Sequence, residues 1–130
     1  MSNSRLTYQY RSGSNYKQVH SVVLAGEVST QTLGLLIARA EDQIDSHHEN
    51  IPDFIPGQVG LPDLQEMLGE WDDNEDHPYH EVLGLENTEA AADPQYPSAE
   101  EVMSLIARTK WDDTYLPDHA RHGDDDLGLD

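Results

Sequence analysis

The chain has 130 residues, no cysteine and a formal charge of −19 at pH 7, with 26 acidic side chains against seven Lys and Arg. This length accommodates one domain, and the lack of cysteine excludes disulfides, thiolate zinc sites and a cysteine nucleophile. No run of about 20 apolar residues is present, so we predict no membrane span. The charge argues against direct binding of nucleic acid, because phosphates are repelled.

The acidic residues are unevenly distributed along the chain. Residues 1–40 carry a formal charge of +3, whereas residues 41–130 carry −22. An acidic, lysine-poor surface is typical of a salt-adapted (halophilic) protein, since molar salt screens the repulsion between carboxylates. Two other interpretations are a nucleic-acid mimic that blocks a DNA-binding protein and a cation-binding surface. No apolar segment follows a basic start as in a secretory signal, so we expect a cytoplasmic protein.

An alternating pattern predicts a β-hairpin at the N-terminus. In the segment from Arg5 to Arg11, apolar and polar residues alternate with the period of a half-buried strand. The segment from Gln18 to Ala25 is the second predicted strand, and the intervening Ser12, Gly13, Ser14 and Asn15 are typical turn residues.

Three helices and a third strand are predicted further along the chain. Ser29 or Thr30 caps the first helix, which carries apolar residues at helical spacing. A short second helix follows Pro62, the segment from His80 to Glu86 reads as a strand, and Ser98 opens a capping box for the last helix.

The order of these elements predicts an α+β fold. We expect a small three-stranded antiparallel sheet, formed by the N-terminal hairpin and one later strand, covered by about three helices. Residues 1–116 form the single predicted domain, and residues 117–130 are predicted to be a disordered acidic tail.

One candidate site has the spacing of a metal centre. His77 and His80 are separated by two residues, and Glu81 follows directly. Two imidazoles and a carboxylate are the ligands of many catalytic zinc sites, so a metal-dependent enzyme is one hypothesis. The alternative is that Asp76 caps a turn while the two histidines form local hydrogen bonds.

The second candidate is a binding patch on the hairpin. Arg11, Asn15, Tyr16 and Lys17 bring cations, an amide and a phenol to one small element of an acidic chain. Tyr and Arg are frequent anchors of protein interfaces. The predicted patch also includes Phe54 and Gln58 from the loop between the first two helices. Its partner would be another protein, or a second copy in a homodimer. In the alternative interpretation, Tyr8 and Tyr10 are core residues and Lys17 pairs with an acid.

Motifs of the common catalytic classes are absent from the sequence. It contains no glycine-rich phosphate loop with its lysine and no G-x-S-x-G elbow. We therefore favour a non-enzymatic protein-binding module over an enzyme.

Several short segments resemble small uncharacterised proteins of archaea and bacteria. They are Tyr8-Gln9-Tyr10-Arg11, Asn15-Tyr16-Lys17, Val22-Val23-Leu24-Ala25-Gly26, the run from Phe54 to Pro62, and the run from Asp76 to Glu81. The overall acidity resembles that of proteins from salt-loving archaea. The resemblance implies no activity. It implies that the hairpin, the Phe54 loop and the segment from His77 to Glu81 form one shared surface.

Overall fold

The computed structural model describes residues 2–43, 47–112 and 115–117. These residues form three β-strands and two α-helices in the order β1 (Asn3–Arg11), β2 (Lys17–Leu24), α1 (Thr30–Asp42), β3 (Glu81–Thr88) and α2 (Ala99–Arg108), with short 3-10 turns at Pro56–Gln58 and Gln65–Leu68. The predicted α+β class and the three-stranded antiparallel sheet are confirmed.

The sheet has the strand order β2-β1-β3, with β1 in the centre and antiparallel to both neighbours. Alternation along β1 buries Leu6, Tyr8 and Tyr10 completely. This confirms that the two tyrosines are core residues. The opposite face of the sheet carries polar groups, such as the hydroxyls of Thr7 and Ser21, which are hydrogen-bonded at 2.8 Å.

Both α-helices begin where the sequence places a hydroxyl cap. The Ser29 and Ser98 side chains accept the backbone N–H groups of Thr32 and Glu101, respectively. Glu100 at the start of α2 also accepts hydrogen bonds from the Ser29 N–H and the Thr32 hydroxyl. The beginnings of the two helices are therefore joined by polar contacts as well as by the shared core.

The short second helix was predicted wrongly, and the described part of the chain contains two α-helices instead of about three. Only Gln65–Leu68 is helical there, and it is a 3-10 turn that ends at Gly69 with φ 132°. Leu64, Met67 and Leu68 have the spacing of an apolar helix face. Leu64 is buried, but Met67 is 56% exposed. Within Gln65–Leu68 the buried side chain is that of Gln65. Its amide donates to the carbonyls of Gly69 and Glu70 and so stabilises the turn.

The predicted tail falls almost entirely outside the described residues. Of residues 117–130, the structure describes only Pro117, which is buried. Ile44, which continues the apolar spacing of the first predicted helix, is also outside the described residues, and the described helix ends at Asp42.

Candidate functional site

The hairpin turn presents the most exposed aromatic side chain of the described residues. Ser12 N–H donates to the Tyr16 carbonyl at 2.9 Å, and Asn15 adopts a positive φ of 67°. Asn tolerates this left-handed conformation better than most residues, which is why it is common in turns. The closed turn leaves Tyr16 67% exposed, and Lys17 next to it is also exposed.

The acidic loop of residues 72–76 is hydrogen-bonded to this turn. Gly13 N–H donates to the Glu75 carbonyl at 2.8 Å, and the Ser14 hydroxyl bonds to the Glu75 carboxylate. A Cβ on Gly13 would lie 3.2 Å from that carbonyl oxygen, so the glycine permits the close approach. The loop therefore has a defined position relative to Tyr16.

Asp76 connects the same loop to the core. Its carboxylate accepts the Tyr10 hydroxyl at 2.5 Å, the Gln65 side-chain amide at 3.1 Å and the Asp72 N–H at 2.8 Å. Burial and the adjacent carboxylate raise the pKa of Tyr10, so the phenol stays protonated and donates. Asp76 N–H donates to the Asp72 carbonyl and closes a turn, and the Asp76 carboxylate caps this turn at the Asp72 N–H, as in the alternative interpretation of this segment.

These contacts enclose a groove of about 320 Å³ between the hairpin turn and the segment 65–76. It is lined by Ser12, Tyr16, Gln65, Leu68, Glu70, Asp72, Glu75 and Asp76. The groove thus combines an exposed phenol, an aliphatic side chain and four carboxylates. Such a surface favours a ligand that is partly apolar and positively charged.

Arg11 does not face the groove. Its guanidinium lies 3.3 Å from the Glu81 carboxylate, which also accepts the Gln9 side-chain amide at 2.7 Å. Arg11 and Glu81 therefore neutralise each other on the polar face of the sheet. Arg11 lies directly opposite Lys17 in the register of β1 and β2, but its guanidinium pairs with Glu81 and does not line the groove with Tyr16.

Of the two predicted loop residues, Phe54 is buried in the core and Gln58 is partly exposed and hydrogen-bonded to the chain near residue 112. Phe54 is completely buried and contacts the Tyr8 ring at a centroid distance of 5.3 Å. The Gln58 side-chain oxygen accepts the Asp112 N–H at 3.2 Å. Phe54 is therefore not part of the binding surface, because a fully buried ring cannot contact a partner without a rearrangement of the core.

His80 is a core residue in which both ring nitrogens are used. Nε2 accepts the Leu64 N–H at 3.0 Å, and Nδ1 lies 3.1 Å from the Pro78 carbonyl, to which it donates. Burial lowers the pKa of His80 to about 3, so the ring is neutral. In this arrangement neither nitrogen is available to a metal, unlike in the predicted zinc site with His77 and Glu81.

The His77 ring is also hydrogen-bonded within the protein, with Nε2 2.8 Å from the Arg11 carbonyl on β1. Within residues 2–43, 47–112 and 115–117, no three His, Asp or Glu side chains come together in an arrangement that would hold a metal ion. Of the local hydrogen bonds in the alternative interpretation, the one from His80 to Pro78 is present, whereas His77 bonds to Arg11 on β1, which is distant in the sequence.

The three segments singled out by the resemblance do converge, but as packed rings. Tyr10 lies 5.2 Å from His77 and 5.1 Å from His80 between ring centroids, and Tyr8 contacts Phe54. Tilted and edge-on geometries of this kind stabilise aromatic clusters beyond simple burial. The cluster stabilises the part of β1 that leads into the hairpin turn and the segment that follows the acidic loop.

Asp53 is a half-buried carboxyl group with a shifted pKa. The pKa of Asp53 is raised to about 6, mainly by burial. The hydrogen bond from the His47 N–H opposes this rise, and the nearby Glu81 charge adds to it. No sequence signal marks this shift, since it depends on the packing of residue 53 against β3.

Replacing Asp53 with Asn should stabilise the protein at pH 8. The pKa of Asp53 is higher in the folded state than in the unfolded chain, so its ionisation opposes folding above about pH 6 and this penalty disappears as the pH falls toward 4. Discounted for the solvent that still reaches the carboxyl, the gain is about 1 kcal/mol. Thermal unfolding at pH 8 and pH 4 measures it. An equal effect at both pH values would contradict the assignment, and Asp73→Asn in the exposed loop is the control.

A nucleic-acid mimic would align the acidic residues of segments 63–76 and 86–101 on one face, but these two segments contact opposite ends of the sheet. Glu75 of the first contacts the hairpin turn at Gly13, whereas Ala90 and Asp93 of the second bond to Asn3 and Val23 at the other end of β1 and β2. β1 has nine residues and spans roughly 27 Å. This placement does not favour one continuous row of carboxylates.

No family model, curated protein or solved structure matches this chain. Among the described residues, neither α-helix has the length and apolar character that a bilayer crossing requires.

Proposed function

We propose that this protein is a binding module that takes a cationic segment of a partner protein into the groove beneath Tyr16. The observation that carries the proposal is an exposed phenol, 67% accessible, standing over a 320 Å³ groove with carboxylate walls. A tyrosine in this position offers a large contact area at a low entropic cost.

The groove has the separate parts that such recognition needs. Tyr16 and Leu68 supply apolar contact, and Leu68 is 38% exposed. Glu70, Asp72 and Glu75 supply carboxylates that attract Lys or Arg, while Asp76 is committed to the internal hydrogen bonds. We infer a partner segment that places a basic residue next to an apolar one.

The groove is supported by rigid elements. The hairpin turn is closed by backbone hydrogen bonds, and the acidic loop is joined both to that turn and to the buried Tyr10 hydroxyl. A surface held in its bound geometry loses less conformational entropy on association. This preorganisation supports binding as the role of the groove.

The acidity of the remaining surface supports a second part of the proposal, namely that the module works in the cytoplasm of a salt-adapted cell. In about 3 M salt the Debye length falls below about 3 Å, so the carboxylates contribute mainly hydration. Under those conditions the apolar and hydrogen-bonded contacts of the groove must supply most of the affinity.

The test is selection of peptides from a random displayed library on the immobilised protein, followed by calorimetric titration of the selected peptides. We expect sequences that pair a basic with an aliphatic or aromatic residue. Tyr16→Ala with Lys17→Ala should weaken their binding at least about tenfold, as expected for the loss of an interface anchor.

Leu105→Ala with Lys110→Ala is the matched control, because it removes one partly exposed apolar side chain and one lysine near the end of α2. Titrations at about 0.1 M and about 3 M KCl separate the carboxylate contribution from the apolar one. Equal weakening by the two double variants, or selection of acidic peptides, would overturn the proposal.

A further inference from the structure

β2 is an outer strand of the sheet, and among the described residues other segments bond to its outer edge only at and after Val23. The Val23 carbonyl accepts the Asp93 N–H and the Ala25 carbonyl accepts the Ala99 N–H, both at 2.9 Å. In an antiparallel strand, the N–H and C=O of one residue point to the same side, and alternate residues point to the same side. The backbone groups of Lys17, Val19 and Ser21 therefore point away from β1.

The open part of this edge is short and symmetric. Within the described part of the chain, no backbone group bonds to the outward N–H or C=O of Lys17, Val19 or Ser21. All three residues are exposed, Val19 by 50%. The Asp93 contact at Val23 limits the open run on one side and the hairpin turn at Asn15 limits it on the other, so Val19 is its midpoint.

We propose that β2 pairs with β2 of a second copy, antiparallel and about a two-fold axis at Val19. Val19 then faces Val19 of the other copy, and Lys17 of each copy faces Ser21 of the other. Each facing pair exchanges two backbone hydrogen bonds. The two three-stranded sheets join into one continuous antiparallel sheet, with the same patch used by both subunits.

Charge identifies a second copy as the occupant. Strand β2 contains no carboxylate in a chain of net charge −19, so two copies meet there without opposing acids. The two Lys17 side chains are separated by four residues along the joint, roughly 13 Å, which exceeds the Debye length at about 0.1 M salt. The other outer strand, β3, carries Glu81 and Glu86 and is unsuited to the same pairing.

The composition of β2 also lacks the usual protection of an outer strand. Natural sheets block such edges with prolines, bulges or several charges. Here the register with β1 is regular from Arg11 and Lys17 to Ser4 and Leu24, and the charged residue of the strand is Lys17 at its end. An unprotected edge of matched length is the arrangement that strand pairing between copies requires.

The test is sedimentation equilibrium of the full chain over a dilution series at about 0.1 M and about 3 M KCl. We expect a dimer that is tighter at high salt, because the repulsion between two strongly anionic copies is then screened. Val19→Pro removes an N–H that points to solvent in the monomer, a position at which an outer strand tolerates proline. This variant should be monomeric with an unchanged circular dichroism spectrum.

Val19→Thr, which keeps the N–H and the branched side chain, is the matched control and should remain dimeric. Val19→Glu provides a second disruption without a backbone change, because it places two carboxylates opposite each other. Tyr16→Ala with Lys17→Ala leaves the backbone groups intact, so the dimer should persist while groove binding is lost. A wild-type monomer at both salt concentrations, or a dimer that survives Val19→Pro and Val19→Glu, would overturn the inference.

Discussion

His80→Phe is expected to destabilise the protein by about 2–4 kcal/mol, although an aromatic ring is retained. The substitution leaves the Leu64 N–H buried without its acceptor and removes the hydrogen bond to the Pro78 carbonyl. A buried donor that loses its partner costs roughly 1–3 kcal/mol, and the second bond adds about 1 kcal/mol. Chemical denaturation measures the difference.

His20→Phe is the control for this experiment. His20 is half-buried on β2 and contacts the Tyr8 ring edge-on at 6.1 Å. The cost there should be below about 1 kcal/mol, as for substitutions outside special contacts. Equal losses in the two variants would contradict the role assigned to the His80 hydrogen bonds.

The same residue gives a pH dependence with a definite sign. Burial lowers the pKa of His80 to about 3, whereas the unfolded chain takes up the proton near pH 6.5. The unfolded state therefore binds more protons between these values, and stability falls as the pH drops from about 6.5 toward 3. The Phe variant should lack this part of the pH dependence, while Asp53 acts in the opposite sense between about pH 6 and 4.

Asp76→Ala is expected to have the second large effect, on stability and binding together. The variant loses the acceptor of the Tyr10 hydroxyl, the Gln65 amide and the Asp72 N–H. Hydrogen bonds to a charged acceptor contribute about 1.5–3 kcal/mol each, and solvent compensates the more exposed ones, so we expect a loss of about 2–4 kcal/mol. The acidic loop should then lose its position beside Tyr16.

Peptide titration and thermal unfolding of the same samples measure the two effects. Asp73→Ala removes the same charge from an exposed position in the same loop, where its carboxylate accepts the Trp71 indole N–H. It should change stability by less than about 0.5 kcal/mol. Loss of peptide binding in Asp73→Ala alone would show that charge, and not the arrangement held by Asp76, determines recognition.

Local patterns in the sequence were sufficient for most of the secondary structure. The alternation of Leu6, Tyr8 and Tyr10 predicts a strand because one face must leave water, and Ser29 and Ser98 predict helix starts because their oxygens accept free N–H groups. These signals involve residues that are only a few positions apart in the sequence. They therefore hold without knowledge of the tertiary structure.

The groove could be predicted only in part. The sequence identified Asn15, Tyr16 and Lys17 as unusual, and the structure exposes Tyr16 and Lys17 at the hairpin turn. The opposite wall comes from residues 65–76, which are distant in the chain and reach the turn through the Gly13 and Glu75 contact. No local pattern encodes such a contact between distant segments.

Composition and local periodicity by themselves determined the acidic surface, the hairpin, the two capped helices and the α+β class. The tertiary structure decided which polar residues became internal: His80 and Gln65 look like surface residues in the sequence, yet both are buried and hydrogen-bonded. The reason is physical. The cost of burying a polar group depends on the partners that the fold supplies, and those partners come from separate segments that meet only in the folded chain.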